Sequence, residues 1–312
     1  MLWYVIRRTL YAIPILIGVT FFTFCLFYLT ASPEGMARRS LSTRNPTKAQ
    51  IHSWIQQHGY DKSKGRQFVT YMTDLFTFHF GKSDATGEDI AQRIKQGIGP
   101  SFEVNGLMFV AGLITNVFFA VYFAYYRNTY VDNWGRFVCV LIMSVSSVVF
   151  IVTGQYLFGI ALKLWPIAGY RPNMALQFVC LPALIGVIAG FGGSVRLYRT
   201  FILEEVNQDY VRTARAKGVA ESAVLFKHVL KNAAIPFITS IVLGIPFLVA
   251  GSLLYESFFG IPGIGNMLFE AVFAQDFSTV RALTFFFTVL YIIGAIMTDI
   301  CYAIADPRVR LE

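Results

Sequence analysis

Residues 102–126 read FEVNGLMFVAGLITNVFFAVYFAYY, a run with one carboxylate near its start and no cation. A helix needs roughly 20 mostly apolar residues to cross about 30 Å of hydrocarbon, and this run is long enough. Five more qualify: about Leu10–Thr30, Phe137–Leu162, Ala175–Val195, Phe237–Phe258 and Ala282–Ile304. The chain of 312 residues is 55% apolar and 14% charged, against about 25% charged in an average soluble domain. Its mean hydropathy is +0.56. These figures exclude a disordered, collagen-like or secreted disulfide-framework chain. They predict an all-α integral membrane protein with six transmembrane helices. The first run follows Arg7 and Arg8 but exceeds the apolar core of a signal peptide, so it reads as an uncleaved first helix.

The net charge of +8 would suggest nucleic acid in a soluble protein. Here the position of each cation matters more, because Lys and Arg concentrate in cytoplasmic loops. With the N-terminus inside, the inner segments hold Arg7, Arg8, Arg127, Arg136, Arg196, Arg199, Arg212, Arg215, Lys217, Lys227, Lys231, Arg308 and Arg310. The two short outer loops hold only Lys163, Arg171 and Arg281. The other cations lie in segment 31–101, and long loops translocate largely regardless of charge. The expected topology is N-in, C-in, with the lipid bilayer as solvent and no nucleic-acid partner.

Two segments exceed a turn. Segment 31–101, after the 1–30 N-terminus and first span, has turn signals at Ser32-Pro33, Asn45-Pro46 and His58-Gly59. It also has helix-like stretches around Lys48–Gln57 and Arg66–Phe78, and reads as a small extracytoplasmic subdomain. The rest, 102–312, is the membrane core and carries the inner loop 196–236. That loop contains EEVNQDYVRTARAKGVAESAVLFKHVLKNAAI over 204–235, helix-compatible but interrupted at Gly218. A helix–break–helix here can offer a short helix to a soluble partner, or lie as a basic amphipathic helix among headgroups.

Little else suggests chemistry of its own. Cys25, Cys139, Cys180 and Cys301 sit inside apolar runs and read as small hydrophobes. His52, His58, His79 and His228 have no metal-ligand spacing. Gly81-Lys82-Ser83 is the tail of a phosphate-binding loop, but the first glycine of that motif would fall on Phe76. No nucleophile–base pair suggests an intramembrane enzyme. Asp299 is expected to pair with Arg196 or Arg199. Glu256, before a Pro-Gly turn, is a candidate gate or a solvated helix end.

Asp209-Tyr210-Val211-Arg212-Thr213-Ala214-Arg215-Ala216-Lys217-Gly218 resembles the cytoplasmic EAA signature of ABC importer permeases in its peptide-transporter form. Arg212 stands where the general motif has Glu, and Lys231 where it has Pro. Glu256–Gly265, with Pro262, Gly263 and Gly265, resembles the family's E-T-x-F-x-x-P-G-x-G. Asp299–Arg310 resembles its D-x-x-Y-x-x-x-D-P-R-x-R ending, and Trp165–Tyr170 its outer loop after helix three. Arg7-Arg8 and Phe80-Gly81-Lys82-Ser83 also fit, although His79 replaces the usual acidic residue.

The resemblance is to the B-type permease subunit of bacterial dipeptide/oligopeptide importers. It implies the type I importer permease fold in the cytoplasmic (inner) membrane. It implies a second, C-type permease, two ATPase subunits that use ATP and Mg, an extracytoplasmic substrate-binding protein, and a peptide substrate. This chain would bind no cofactor and catalyse nothing. Asp209–Gly218 and Glu221 would couple to an ATPase, with Gly218 giving either a sharp helix exit or close backbone approach. Peptides would cross by alternating access past residues such as Asn116, Ser144 and Gln155. The alternative is a stand-alone secondary transporter or channel, which needs inverted repeats or midplane acids.

Overall fold

The computed structural model describes residues 2–30, 32–41, 46–57 and 59–305. Asn45, His58 and the ending 306–310, with Arg308 and Arg310, lie outside the described residues. Most of the described residues are helical, and their only extended pairing is an isolated bridge between Lys82 and Asp89.

The helices in chain order are α1 (Leu2–Thr30), α2 (Pro33–Ser40), α3 (Lys48–Gln57), α4 (Lys64–Phe76), α5 (Ile90–Tyr125), α6 (Tyr130–Met143) and α7 (Ser147–Gly154). Then follow α8 (Ala175–Val206), α9 (Asp209–Ala216), α10 (Glu221–Ala223), α11 (Leu230–Ala250), α12 (Leu253–Phe259), α13 (Ile264–Phe273) and α14 (Phe277–Ala305). Among the described residues five stretches are long and apolar enough to cross a membrane, or six if Tyr130–Met143 and Ser147–Ala161 count as one span.

The contacts divide the chain into two units. The first takes in the residues up to Gly97 and Met267–Ile296. Its small helices start where local chemistry dictates. Ser32 caps α2 by accepting from Gly35 N at 3.1 Å, with Pro33 in the first turn. Thr47 and Gln50 cap α3 reciprocally, Thr47 N donating to Gln50 Oε1 at 2.9 Å and Gln50 N to Thr47 Oγ1 at 3.4 Å. Helices α2 and α3 share a small core of Ala37, Ile51 and Trp54, with Trp54 stacked on Tyr60.

The Gly-Lys-Ser stretch is a structural corner in this unit. Gly81 has φ +72°, Ser83 donates to the Asp276 carboxylate, and Asp84 N donates to the same group at 3.1 Å. Asp276 also accepts from Thr279 N at 3.1 Å and so caps α14.

The second unit takes in Ile98–Asn266 and the described residues from Met297 on. Its spine is α8. One core cluster lies along its early part, Val179, Leu181 and Ile185 meeting Ile151, Phe259 and Ile261. The other lies along its late part, Val195, Ile202 and Val206 meeting Val211, Val224 and Val229. Helix α6 packs on α8 closely enough that a Cβ on Gly192 would overlap the Cys139 carbonyl, the role of small residues between membrane helices.

The third expected span, Phe137–Leu162, is not one straight helix. It starts earlier, at Tyr130, and breaks at Ser144–Ser146, with α6 and the helix from Ser147 to Ala161 bent by 89°. Ser144 donates its hydroxyl back to Val140 O at 2.8 Å, the side-chain competition that bends helices. Ser146 is extended (φ −62°, ψ 142°) and starts the next helix. Past Gly154 the chain winds into a π-helical stretch, Gln155–Ala161. The fifth span also breaks. Helix α11 ends at Gly251 (φ 80°) before α12 begins.

Candidate functional site: the inner loop and the Glu256 cradle

Helix α8 does not stop where its apolar run does. Arg196 is the first cation after that run, yet the helix continues to Val206, about 15 Å further at 1.5 Å per residue. Helix α9 is carried on this extension. Gln208, in extended conformation, precedes it, and Asp209 in the first turn complements the helix dipole.

The faces of α9 are distinct. Val211 (0% exposed) and Ala214 (7%) are buried against α8 and the stretch from Val224. Tyr210 packs beside them and donates its hydroxyl to Glu205 at 2.6 Å. Burial, followed by that bond, raises the Tyr210 pKa. The opposite face exposes Asp209, Arg212, Thr213, Ala216 and Lys217. Arg212 makes an exposed pair with Asp209 at 3.3 Å.

The exit from α9 is a Schellman turn. Gly218 N donates to Arg215 O at 2.9 Å and Val219 N to Ala214 O at 3.3 Å, the paired bonds of that motif. Gly218 has φ +76°, and a Cβ there would meet nothing within 4 Å. Glycine is therefore needed within this chain for its backbone conformation, not for space. Arg215 then clamps the turn from below. It donates from Nε to Glu221 Oε2 at 2.9 Å and from Nη2 to Oε1 at 2.7 Å. Arg127 approaches the same carboxylate at 4.0 Å. The Arg215 bond holds Glu221 below the usual carboxylate range, with the charges of Arg215 and Arg127 adding to it.

Arg199 does not take the partner expected for it. Its guanidinium grips Asp132, Nε to Oδ1 at 2.8 Å and Nη2 to Oδ2 at 2.7 Å. Asp132 is fully buried, also accepts Asn128 N at 3.2 Å, and has Arg136 at 3.9 Å. A buried carboxylate is tolerated only when paired and hydrogen-bonded, and these contacts supply both. Asp299 is half-buried on α14. Asp132 escaped the sequence reading because its partner lies 67 residues away; its one local signal is an acid set between Arg127 and Arg136.

Glu256 is not a solvated helix end: it is 0% exposed. Its Oε1 accepts Ser252 N at 3.0 Å and Asn105 Nδ2 at 3.3 Å, and its Oε2 accepts Asn266 N at 3.1 Å. The Ser101 hydroxyl bonds it too, while accepting Ile264 N at 2.8 Å. A Cβ on Gly251 or Gly263 would overlap the carboxylate, and one on Gly265 would strike the Ser252 backbone. The Pro262-Gly263-x-Gly265 pattern thus serves as clearance for a carboxylate that ties three segments together. Nearby, Gly169 N donates to Phe259 O at 2.7 Å and Tyr170 to Glu103 at 2.8 Å. Burial, and then that bond, push the Tyr170 phenol up to about 12. Of the polar residues within spans, Asn116 is buried and its Oδ1 has no hydrogen-bond partner among the described residues.

The chain matches two family models. Residues 116–311 match the binding-protein-dependent transport system inner membrane component, and residues 1–106 the N-terminal part of such membrane components. The chain belongs to this family of inner-membrane transport permeases. It is similar to a putative peptide transport system permease protein of Brucella abortus (strain 2308), 30% identical over 327 residues and covering 99% of each chain. A putative peptide permease protein of Brucella suis biovar 1 is 31% identical over 322 residues, covering 100% of both. The oligopeptide transport system permease protein AppB of Bacillus subtilis (strain 168) is 29% identical over 315 residues, covering 98% of this chain and 99% of its own. The permease is thus a multi-pass component of the bacterial inner membrane, from a family that transports rather than catalyses.

Proposed function

We propose that this permease forms half of the translocation pathway of an ATP-driven importer for peptides of the di- or oligopeptide class. Its partners are a C-type permease, two ATPase subunits that bind ATP and Mg, and an extracytoplasmic binding protein. It binds no cofactor. The termini and α9 face the cytoplasm, and transport proceeds by alternating access. The similarity to peptide permeases supports the cargo class, and the distribution of cations supports the orientation.

The observation that carries the ATPase coupling is the two-faced α9. A helix lying among headgroups turns its apolar face to lipid. Here the apolar face, Val211 and Ala214, is spent on the protein's own core. What remains outside is Asp209, Arg212, Thr213, Ala216 and Lys217, a polar surface suited to the cleft of a soluble partner. Closure of an ATPase dimer would displace α9, and α8 would carry that displacement into the membrane.

A photocrosslinker at Thr213 or Ala216, in membranes containing the whole transporter, should capture the ATP-binding subunit, identified by mass. The same group at Ala214 should capture this chain itself. Recovery of phospholipid instead of ATPase from positions 213 and 216 would remove the docking reading.

A further inference from the structure

We propose that the first unit holds a binding site for the headgroup of an anionic phospholipid, centred on Arg281. A cavity of 380 Å³ is lined there by Lys62, Lys64 and Arg281 over a floor of Phe24, Phe27 and Phe277. Among the described residues no carboxylate lines it. Asp74 belongs to an adjoining cavity that shares Arg281. Ligand sites are commonly about 300–1,000 Å³, so the volume suits a compact headgroup.

Position identifies the ligand. The apolar spans Ile6–Phe27 and Phe277–Cys301 end and begin at this cavity, and the rings of Phe27 and Phe277 meet at 5.1 Å. The floor is therefore the limit of the hydrocarbon region, the level at which lipid phosphates lie. Three cations at that level, backed by aromatic rings, match a phosphodiester whose acyl chains continue along the spans.

Arg281 is held ready for such a group. Its Nε donates to Phe277 O and its Nη2 to Ser278 Oγ, each at 3.2 Å. The guanidinium lies over the Tyr71 ring at 5.3 Å and the Phe27 ring at 6.0 Å, the stacking arginine favours. Among the described residues it has no carboxylate within ion-pair distance. The Tyr60 side chain also bonds it, and Asp84, whose charge acts on it, spends an oxygen on Ser278 N at 3.0 Å. A partly desolvated cation without a paired anion is costly, and a lipid phosphate would supply the missing charge. A free phosphate would satisfy the cations but leave the phenylalanine floor unused.

Native mass spectrometry of the full-length chain in detergent tests this. The probes are short-chain phosphatidylglycerol and short-chain phosphatidylcholine. The wild type should retain one phosphatidylglycerol at least tenfold more tightly than phosphatidylcholine. Arg281→Gln should abolish that preference. Lys62→Gln alters an exposed side chain and keeps the test valid if Arg281→Gln fails to fold; it should weaken phosphatidylglycerol binding about fivefold, the loss of one cation near a lipid surface. Inorganic phosphate at millimolar concentration should not displace the lipid. Equal binding of the two lipids, unaltered binding by Lys62→Gln, or displacement by phosphate would each overturn the proposal.

Discussion

Gly218 separates two effects that a loop substitution usually confounds. Its φ of +76° is a left-handed conformation that costs an ordinary L-residue about 1–2 kcal/mol. Asn tolerates that region better than Ala, and β-branched Val tolerates it worst. A side chain would meet nothing in this chain within 4 Å. If backbone conformation alone decides the outcome, Gly218→Asn should be the mildest change, Gly218→Ala intermediate and Gly218→Val the most severe. About 1–2 kcal/mol corresponds to a roughly 5- to 30-fold shift away from the Schellman exit. Peptide uptake and substrate-stimulated ATP turnover, measured at equal membrane abundance, should fall in that order. All three proteins should insert normally, because the site lies outside the spans. If Asn and Val are equally inactive, the size of the side chain governs, and Gly218 is there for close approach by a partner. Wild-type transport by Gly218→Val would refute both the strain argument and the docking of α9.

The Asp132–Arg199 pair makes a second prediction. Asp132→Asn should lower stability by about 3–5 kcal/mol, the cost of stranding one member of a buried pair, while Asp132→Leu with Arg199→Met should recover most of it; thermal unfolding in detergent measures both. For Glu256, the Gln variant turns an amide N–H towards the Ser252 or Asn266 N–H, so at least one charge-assisted bond is lost, about 1.5–3 kcal/mol. Equal stability of Glu256→Gln and wild type would show that the cradle does not need the carboxylate. The Arg215–Glu221 clamp should weaken as pH falls: the folded Glu221 pKa is depressed, so its contribution is full above the unfolded carboxylate value and is lost as pH drops through the folded one. Exposure limits its size, and limited proteolysis near Gly218 at neutral and acid pH should show the turn loosening.

Much of the architecture was legible because it depends on local signals. Lys48–Gln57 was readable as a helix from its own residues, and the Thr47/Gln50 box gives its start. Four of the six expected spans fall in α1, α5, α8 and α14 to within one residue, because twenty apolar residues in a row have few other uses in a bilayer protein. Breaks inside apolar runs were not legible. Ser144–Ser146 is only three residues long, and averaging over a span hides it. Of the two readings of Glu256, the solvated helix end failed for another reason. Two of its four donors are main-chain N–H groups, and the two side-chain donors, Ser101 and Asn105, lie 151 residues or more away in sequence. The glycines around it were visible, and they recorded the close approach without showing what was approached.

The two buried carboxylates described in the second unit lie beside the two core clusters of α8, and Asp132 alone bonds to that helix. Asp132 joins the start of α6 to Arg199, beside the late cluster of Ile202 and Val206. Glu256 joins the turn before α12 to the start of α13 and to Asn105 on α5, beside the cluster that contains Phe259 and Leu181. Leu181 and Ile202 are about 30 Å apart along one unbroken helix. An ionic or hydrogen-bonded tie resists sliding more than apolar packing does, because it has one geometry in which its partners are satisfied. Arg199 ties the late region of α8 in this way, while the early region is held by apolar packing of Leu181 and Ile185 against Phe259 and Ile261, beside the Glu256 cradle. On the coupling proposed above, a displacement of α9 would pass along α8 to the helices packed on it, the rigid-body form of motion that alternating access requires.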